Sequence, residues 1–552
     1  MGKRKKKDDR PIWTIDAETD PFKPWTKPSQ QRVPKPFIWG VYTGTSMHYL
    51  KTVTEVVEMI KDNDVICYAH NGGKFDFHLN DDVASLFDHL NLFEPMKIID
   101  GRLVSGKIGK CEIRDSWKLF PAPLREFGSK LEIEYWKLEK EHREAHMPEI
   151  KRYLMQDCVG LWNSLDTFVR QYGLSLTIAS AAMKQWEELS GIKAPKTDAK
   201  FFSKFQKYYY GGRTQCFMKG YLKGPFKMVD IRSAYPRAML EEHPYHPQYR
   251  ELAYPKDILG TDMVTIDCIS NGALPFRNEK GIMAFPRDST RRRYHVTGWE
   301  VLAAQETRAI RDVTIVNAIR FFPLVSFAPY INHWYGKRME YREAGDDANT
   351  FFAKRFMNEL YGRWAIDPAN HGNFMLVPWE QKLDHGQEGY EFNGRMGRHA
   401  VVRRDLDPWE QHYINVATAA SITGWVRAYL WRALDASDDP VYCDTDSILA
   451  REIAGIEIGK ELGQWSYEGT AREAWIAGKK LYYLKGNFGK KDGKTVTHKM
   501  AAKGIKGDPR KIKAAALGKT VIARSEAPTF SLKDKRGVYF QERRIRMTAV
   551  TD

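Results

Sequence analysis

The amino-acid sequence predicts a multi-domain α+β protein. Three observations carry that expectation. The length of 552 residues exceeds the size at which a single core keeps growing. Short apolar runs rich in β-branched residues end repeatedly in acids, as strands delivering carboxylates to one edge would. Between them lie longer stretches with helical spacing, notably around Tyr153–Asp157, Phe351–Ala365 and Tyr413–Leu434.

Composition narrows the function classes. Core material is ample at 43% hydrophobic, and Lys plus Arg outnumber Asp plus Glu by 86 to 70, for a net charge of +16 with 13% aromatics. A basic, aromatic-rich chain suits a nucleic-acid binder, the alternative being a merely soluble basic protein. The six cysteines are scattered with no C-x-x-C pair and no signal-peptide pattern, so a reducing, cytoplasmic setting without zinc is expected. No apolar run reaches the roughly 18 residues of a membrane span. Even Val416 to Leu434 is cut by Arg427 and Arg432, so no membrane partner is expected. The Lys3-Arg4-Lys5-Lys6-Lys7 run reads as a solvated tail or a phosphate contact.

In chain order, Ile12-Trp13-Thr14-Ile15-Asp16-Ala17-Glu18 is a strand with Asp16 and Glu18 on one face. Val65 to Phe77 is a buried strand running through Gly72-Gly73 into Asp76, and Tyr153 and Asp157 share one helix face. Taken singly, each acid reads as a surface residue. Together they suit two-metal phosphodiester hydrolysis, where carboxylates hold two cations about 4 Å apart and a tyrosine orients the water. A helix is expected over Leu174 to Glu188 and a domain boundary near residue 165. In Tyr208-Tyr209-Tyr210-Gly211-Gly212-Arg213 the glycines admit a close nucleic-acid backbone and Arg213 is placed to meet phosphate; a common hairpin turn is the plainer reading.

Met228-Val229-Asp230-Ile231-Arg232-Ser233-Ala234-Tyr235-Pro236 is a strand ending at an acid and turning into a helix. On the next helix Lys354, Asn358 and Tyr361 fall at i, i+4 and i+7, with Gly362 leaving that face open and Lys337, Arg338 and Arg342 upstream. A cation, an amide and a ring are what nucleotide capture requires. Ala417, Ala420, Ser421 and Gly424 permit close packing of the following helix under a sheet. That helix leads to Val441-Tyr442-Cys443-Asp444-Thr445-Asp446-Ser447-Ile448-Leu449, which reads as a metal-holding β-hairpin whose strand would put Asp444 and Asp446 on one face. An Asp-rich turn after Asp438-Asp439-Pro440 is the alternative. Farther on, Lys480 and Tyr482 are expected to point the same way on a strand, and the remainder to Asp552 suits a small clamp.

This ordered set resembles the exonuclease motifs, Tyr-Gly-Gly turn, motifs A, B and C and K-x-Y element of proofreading family B DNA polymerases. Ala69-His70-Asn71-Gly72-Gly73-Lys74-Phe75-Asp76-Phe77, Ala419-Ala420-Ser421-Ile422-Thr423-Gly424 and Ala477-Gly478-Lys479-Lys480-Leu481-Tyr482 are most similar to the protein-primed polymerases of tectiviruses. The resemblance implies an RNase H-like 3'-5' exonuclease domain followed by a right-hand polymerase of palm, fingers and thumb with two insertions. It implies Asp16, Glu18, Asp76 and Asp157 as exonuclease metal ligands, with Tyr153 on the water. Asn71, Phe75 and Ser116 would contact the frayed primer end, Trp117 departs from the usual leucine, and Lys137 would assist the exonuclease. In the palm it implies two Mg²⁺ ions, with Mn²⁺ as a substitute, on Asp230, the Ile231 carbonyl and Asp446, with Asp444 needed as ligand or support. Ser233, Tyr235, Lys354, Asn358, Tyr361 and Arg342 would hold nucleotide, Tyr235 excluding a 2'-OH. Tyr209, Gly211, Gly212, Lys480 and Tyr482 would hold DNA. Glu359 stands where serine is usual.

The domains expected on that basis are exonuclease 1–165, palm 166–244 and 411–475, fingers 331–365 and thumb 476–552, with insertions at 245–330 and 366–410. Motif spacings exceed what a helix pair and short loops need, which supports the insertions. The implied function is monomeric, strand-displacing replication of a linear viral genome in the cytoplasm of a bacterial host, with a terminal protein, template-primer and dNTPs as partners. Rivals are a family B polymerase using an ordinary nucleic-acid primer, a nuclease with a decayed polymerase half, and a non-enzymatic basic nucleic-acid binder.

Overall fold

The computed structural model describes residues 8–21, 34–126, 131–195, 197–366, 372–382, 389–405, 414–491, 493–503 and 507–524, with short strands at 529–530, 538–539 and 542–545. The Lys3–Lys7 run, Tyr413 and much of the expected C-terminal clamp lie outside the described residues.

The first layer is a seven-stranded sheet in the order β3-β2-β1-β4-β7-β6-β5. Its strands are β1 (Ile12–Thr19), β2 (Pro36–Tyr42), β3 (Met47–Leu50), β4 (Ile66–Ala69), β5 (Lys97–Ile99), β6 (Arg102–Ile108) and β7 (Cys111–Asp115). The β1-β4-β7 core is parallel and hydrophobic on both faces, as a sheet covered twice must be. Cys67 and Ala69 pack with α1 (Val53–Ile60), whereas Ile66 and Tyr68 pack with α2 (Met147–Tyr172), so the helices cover opposite faces. Two bonds fix α2 to β1: the Thr14 hydroxyl donates to the Cys158 carbonyl at 2.9 Å, and the Trp162 indole N–H to the Ile12 carbonyl at 2.9 Å. The boundary expected near residue 165 falls inside α2, which ends only at Gly173, whose φ of 73° no longer fits a helix.

After α3 (Ile178–Ser190) and α4 (Ala199–Phe205), the chain builds an antiparallel seven-stranded sheet ordered β27-β24-β23-β9-β22-β21-β8. It begins with β8 (Thr214–Cys216), β9 (Gly220–Ile231) and α5 (Ala234–Ala238). A separate excursion follows. β10 (Glu242–Pro244) pairs with a later strand, and β11 (Tyr249–Ala253), β12 (Met263–Ser270), β15 (Arg292–Thr297) and β16 (Ile310–Phe321) form a second sheet, with the β13 (Phe276–Arg277) and β14 (Met283–Ala284) hairpin and α6 (Gly298–Glu306) beside it. β17 (Leu324–Ser326) closes on β10 and leads to the antiparallel helices α7 (Ala328–Glu343) and α8 (Asp347–Trp364).

A third sheet of β18 (Gly372–Val377), β19 (Glu391–Met396) and β20 (His399–Asp405) follows α8. Its Phe374, Leu376, Met396 and Val401 join the core of the first layer rather than standing alone. The chain returns through α9 (Val416–Asp435), buried over most of its length. Gly424 is required there: a Cβ would lie 2.2 Å from Thr297 Oγ1 at the start of α6. The second large sheet is then completed by β21 (Asp438–Asp444), β22 (Ser447–Glu452), β23 (Trp465–Gly478) and β24 (Leu481–Asn487). Beyond a lysine-bearing hairpin of β25 (Lys490–Lys491) and β26 (Lys494–Thr495) come β27 (His498–Ala502) and α10 (Pro509–Ala516).

Candidate active sites

The first-layer acids converge as their spacing predicts. Asp16, Glu18, Tyr153 and Asp157 line one cleft of about 230 Å³ between β1 and α2, together with His70 and Cys158. Asp76 starts a short turn after β4 and is buried, with its Oδ1 lacking a partner. Burial, then repulsion from Asp157 and Asp76, raises Glu18 to about 8. Burial, with Asp115 nearby, raises Asp76 to about 7. Asp16 is driven up by burial and then by Asp76, Asp157 and Glu18, and the Tyr153 phenol rises from burial beside the same acids. Burial and mutual repulsion are thus what raise these acids, an arrangement that a divalent ion would relieve.

Around it, Asn71 adopts a left-handed φ of 67°, which asparagine tolerates, and Phe75 packs on the core edge. Ser116 does not face the cleft. It is fully buried, its hydroxyl 2.9 Å from His70 Nδ1 and donating to the Ala69 carbonyl at 3.3 Å, so its influence reaches the cleft through His70. Lys137 lies before α2 with its ammonium 2.8 and 3.0 Å from the Glu149 oxygens and is not among the cleft residues.

The second site sits where β9 meets the β21-β22 hairpin. The segment folds as the expected β-hairpin, but its turn falls between the two acids, so they do not share a strand face: β21 stops at Asp444, Thr445 has φ 61°, and Ser447 opens β22. The turn splits the two acids. Asp446 lies beside Asp230; the Asp446 carbonyl accepts the Ile231 N–H at 2.7 Å. Burial followed by repulsion from Asp446 raises Asp230 to about 7, and burial followed by Asp444 raises Asp446 to about 6. Asp444 instead takes both 2.7 Å contacts of the Lys480 ammonium and the Thr214 hydroxyl at 2.9 Å. Lys480 is correspondingly a turn residue, φ 56°, between β23 and β24 rather than a strand partner of Tyr482. Tyr482 is buried edge-on to Tyr442 at 5.1 Å.

The Tyr-Gly-Gly segment threads beneath this hairpin. Gly212 must be glycine, since a Cβ would approach the Thr445 side chain to 2.7 Å, and Thr445 N–H donates to the Arg213 carbonyl at 2.6 Å. Arg213 is not available to phosphate: it is 1% exposed, bound to Gln215 and the Gly272 carbonyl, and boxed by Phe285 and Trp431. The exposed turn reading fails because the chain continues into a buried strand. Arg427 of α9, paired with Glu300 at 2.7 Å, holds the Tyr210 and Gly211 carbonyls, and Arg277 holds that of Tyr209.

On α8, Lys354, Asn358 and Tyr361 share the outward face while Phe352, Phe356 and Leu360 are buried. Tyr361 stacks on Tyr235 at 4.0 Å with planes 14° apart. Ser233 caps α5 with a left-handed φ of 55°, and Arg342 is exposed near the end of α7. Glu359 pairs with Arg355 at 2.6 Å. Sequence reasoning missed Glu468 on β23, which contributes to the rise of Asp230 and pairs with Lys499 at 3.1 Å. An acid on an alternating strand is the only signal, and the register shift between Tyr467 and Gly469 obscures it.

Residues 131–392 match the family of DNA polymerase type B, organellar and viral. Over 495 residues the chain is 34% identical to the DNA-directed DNA polymerase of Enterobacteria phage PRD1, covering 87% of this chain and 84% of that protein. The fold is similar to phi29 DNA polymerase with a TM-score of 0.74 at 17% identity, covering 98% of this chain and all of that one. It is similar to the phi29 ternary complex with primer-template DNA and incoming nucleotides at a TM-score of 0.72 and 17% identity, over the same shares. With this relationship along most of its length, the chain belongs to the type B DNA polymerases.

Proposed function

We propose that the protein copies a linear viral genome from a protein primer, extends it with strand displacement, and edits with a separate 3'-5' exonuclease. The observation that carries two separate chemistries is the existence of two acid sets on two sheets, one on β1 and α2 and one on β9 and the β21-β22 hairpin. Among the described residues no group of three or more His, Cys, Asp or Glu side chains forms a ready metal-holding cluster. Unscreened carboxylates repel, and the raised pKa values together with the orphaned Asp76 Oδ1 still fit hard cations.

Two Mg²⁺ ions per site, with Mn²⁺ as a substitute, held by Asp230, Asp446 and the Ile231 carbonyl and by Asp16, Glu18, Asp76 and Asp157, would supply activation of the attacking oxygen and neutralise the leaving one. Tyr153 orients the hydrolytic water beside Asp157. Lys354 meets the triphosphate with Ser233 and Arg342, Asn358 and Tyr361 frame the nascent base pair, and the Tyr235 ring blocks a 2'-OH. Asp444 acts from behind, anchored by Lys480. Tyr209, Gly211, Gly212 and Tyr482 flank the primer strand, and Asn71 and Phe75 receive its frayed end, with Lys137 steadying the start of α2. The sheet of β11, β12, β15 and β16 serves the terminal protein and template, and the sheet of β18 to β20 encloses DNA. The protein acts as a monomer in the cytoplasm of a bacterial host.

The discriminating experiment supplies purified candidate terminal protein and each labelled dNTP singly. Covalent transfer of one dNMP to the protein is expected. Extension of nucleic-acid primers with no transfer to any co-encoded protein would favour the ordinary-primer reading.

A further inference from the structure

One helix serves both halves of the molecule. The N-terminal part of α2 presents Tyr153 and Asp157 to the exonuclease cleft, and about 16 Å along it, at 1.5 Å per residue, Phe168 reaches the helices that carry the nucleotide-binding face. Phe168 packs on Phe352 with centroids 5.2 Å apart, and Tyr172 on Phe356 at 4.8 Å and on Trp334 at 5.6 Å. All five rings belong to one buried cluster spanning both layers. Beyond packing there is a directed polar link. The buried Tyr172 hydroxyl donates to Asn349 Oδ1 at 3.0 Å; the Asn349 amide donates to Asp346 Oδ2 at 2.7 Å; Asp346 Oδ1 accepts the Asn349 N–H at 3.0 Å and so caps α8. Tyr341 of α7 stands close enough to help raise the Tyr172 phenol.

We infer that Tyr172 is a positioning residue for the nucleotide site, setting from the exonuclease helix the seat of α8 and hence of Lys354, Asn358 and Tyr361. This rests on the reading of that α8 face as the nucleotide site. Close-packed rings transmit displacement instead of absorbing it, and a hydroxyl that satisfies a buried amide fixes the cap to one geometry. Lys354 lies little more than one turn from Asn349, so a shift of the cap is a shift of the ammonium relative to the triphosphate. Such misplacements, even of about 1 Å, are costly in rate. The same link runs in the other direction: when a nucleotide draws on α8, the helix bearing Tyr153 and Asp157 is drawn with it.

Tyr172→Phe keeps the ring and deletes the hydroxyl, leaving Asn349 Oδ1 without its donor. The expected result is a KM for dNTP raised about three- to tenfold with kcat within about twofold. The exonuclease rate on single-stranded DNA without dNTP stays unchanged, and the dNTP concentration at which synthesis overtakes excision rises by the same factor as KM. Phe168→Leu, which fills the cluster but removes the ring contacts, is expected to act in the same direction and carries the test if Tyr172→Phe is unstable. An unchanged KM overturns the inference, as does an equal loss of both activities, which would mark Tyr172 as merely structural. Lys354→Ala in the same assay separates the two readings: a raised KM there with none in Tyr172→Phe sinks this inference alone, and no change in either sinks the nucleotide-site reading as well.

Discussion

The two acid sites differ in how their charge is balanced. The cleft between β1 and α2 gathers Asp16, Glu18 and Asp157, with Asp76 near them, and its acids are raised by burial and by one another. The site of β9 and the β21-β22 hairpin places a cation against the carboxylates flanking its central pair: Lys480 on Asp444 and Lys499 on Glu468, with Lys499 and Arg232 also drawing Asp230 down. A divalent cation would therefore relieve the first site the more, while the second is partly neutralised by the protein itself. On the proposed function, fixed positive charge beside the second site would favour an incoming triphosphate.

Lys480 is the cation closest to the Asp444 carboxylate. Lys480→Met removes the cation from Asp444 and leaves that carboxylate to repel Asp446, so synthesis is expected to fall about 10- to 100-fold. Its Mg²⁺ requirement should rise, and the exonuclease on single-stranded DNA should be unaffected. Titrating both activities against Mg²⁺ checks this, and synthesis unaltered in the variant would remove the protein's own share of the charge balance.

A smaller effect probes the pocket above the palm acids. Tyr235 and Tyr361 lie stacked at 4.0 Å, and on the proposed function the sugar of an entering nucleotide would settle against the Tyr235 ring. Tyr235→Val is expected to raise ribonucleotide relative to deoxyribonucleotide incorporation about tenfold or more. Competition between ATP and dATP opposite one template base measures it, and an unchanged ratio would deny Tyr235 the sugar-discriminating role.

The smallest expected effect is on stability. Folded-state values of about 8 for Glu18 and about 7 for Asp76 lie above the ordinary 4.5 and 3.8. A raised carboxyl stabilises the fold below its unfolded value and loses that contribution as pH rises through the folded one. Without divalent ions the protein should therefore lose stability between about pH 4 and pH 8, and Mg²⁺ should restore more at pH 8 than at pH 5. Asp16→Asn should flatten this dependence more than Asp446→Asn. Melting in EDTA and in Mg²⁺ across that range tests it, and a metal shift independent of pH would contradict it.

Sequence pattern made the exonuclease cleft legible because its carriers are regular. Asp16 and Glu18 obey the two-residue period of β1, and Tyr153 and Asp157 the four-residue spacing of α2. Lys354, Asn358 and Tyr361 followed for the same reason. The palm was less legible because its chemistry sits on turns. A left-handed Thr445 sends Asp444 and Asp446 to different partners, and a left-handed Lys480 folds back onto Asp444, which no period predicts. Arg213 reads as an exposed cation until the sheet and the Gly272 loop close over it. Buried side chains with partners more than fifty residues away, such as Tyr172 with Asn349, become visible only once the domains pack.

The account rests on two separable carboxylate sites in one chain, and a reciprocal pair of variants tests that most directly. Purified Asp446→Ala and Asp16→Ala are each assayed for dNTP incorporation on primer-template and for degradation of single-stranded DNA. Asp446→Ala is expected to lose synthesis by on the order of 10³-fold while degrading DNA at the parent rate, and Asp16→Ala to do the reverse. Joint loss of both activities in either folded variant would contradict two independent sites.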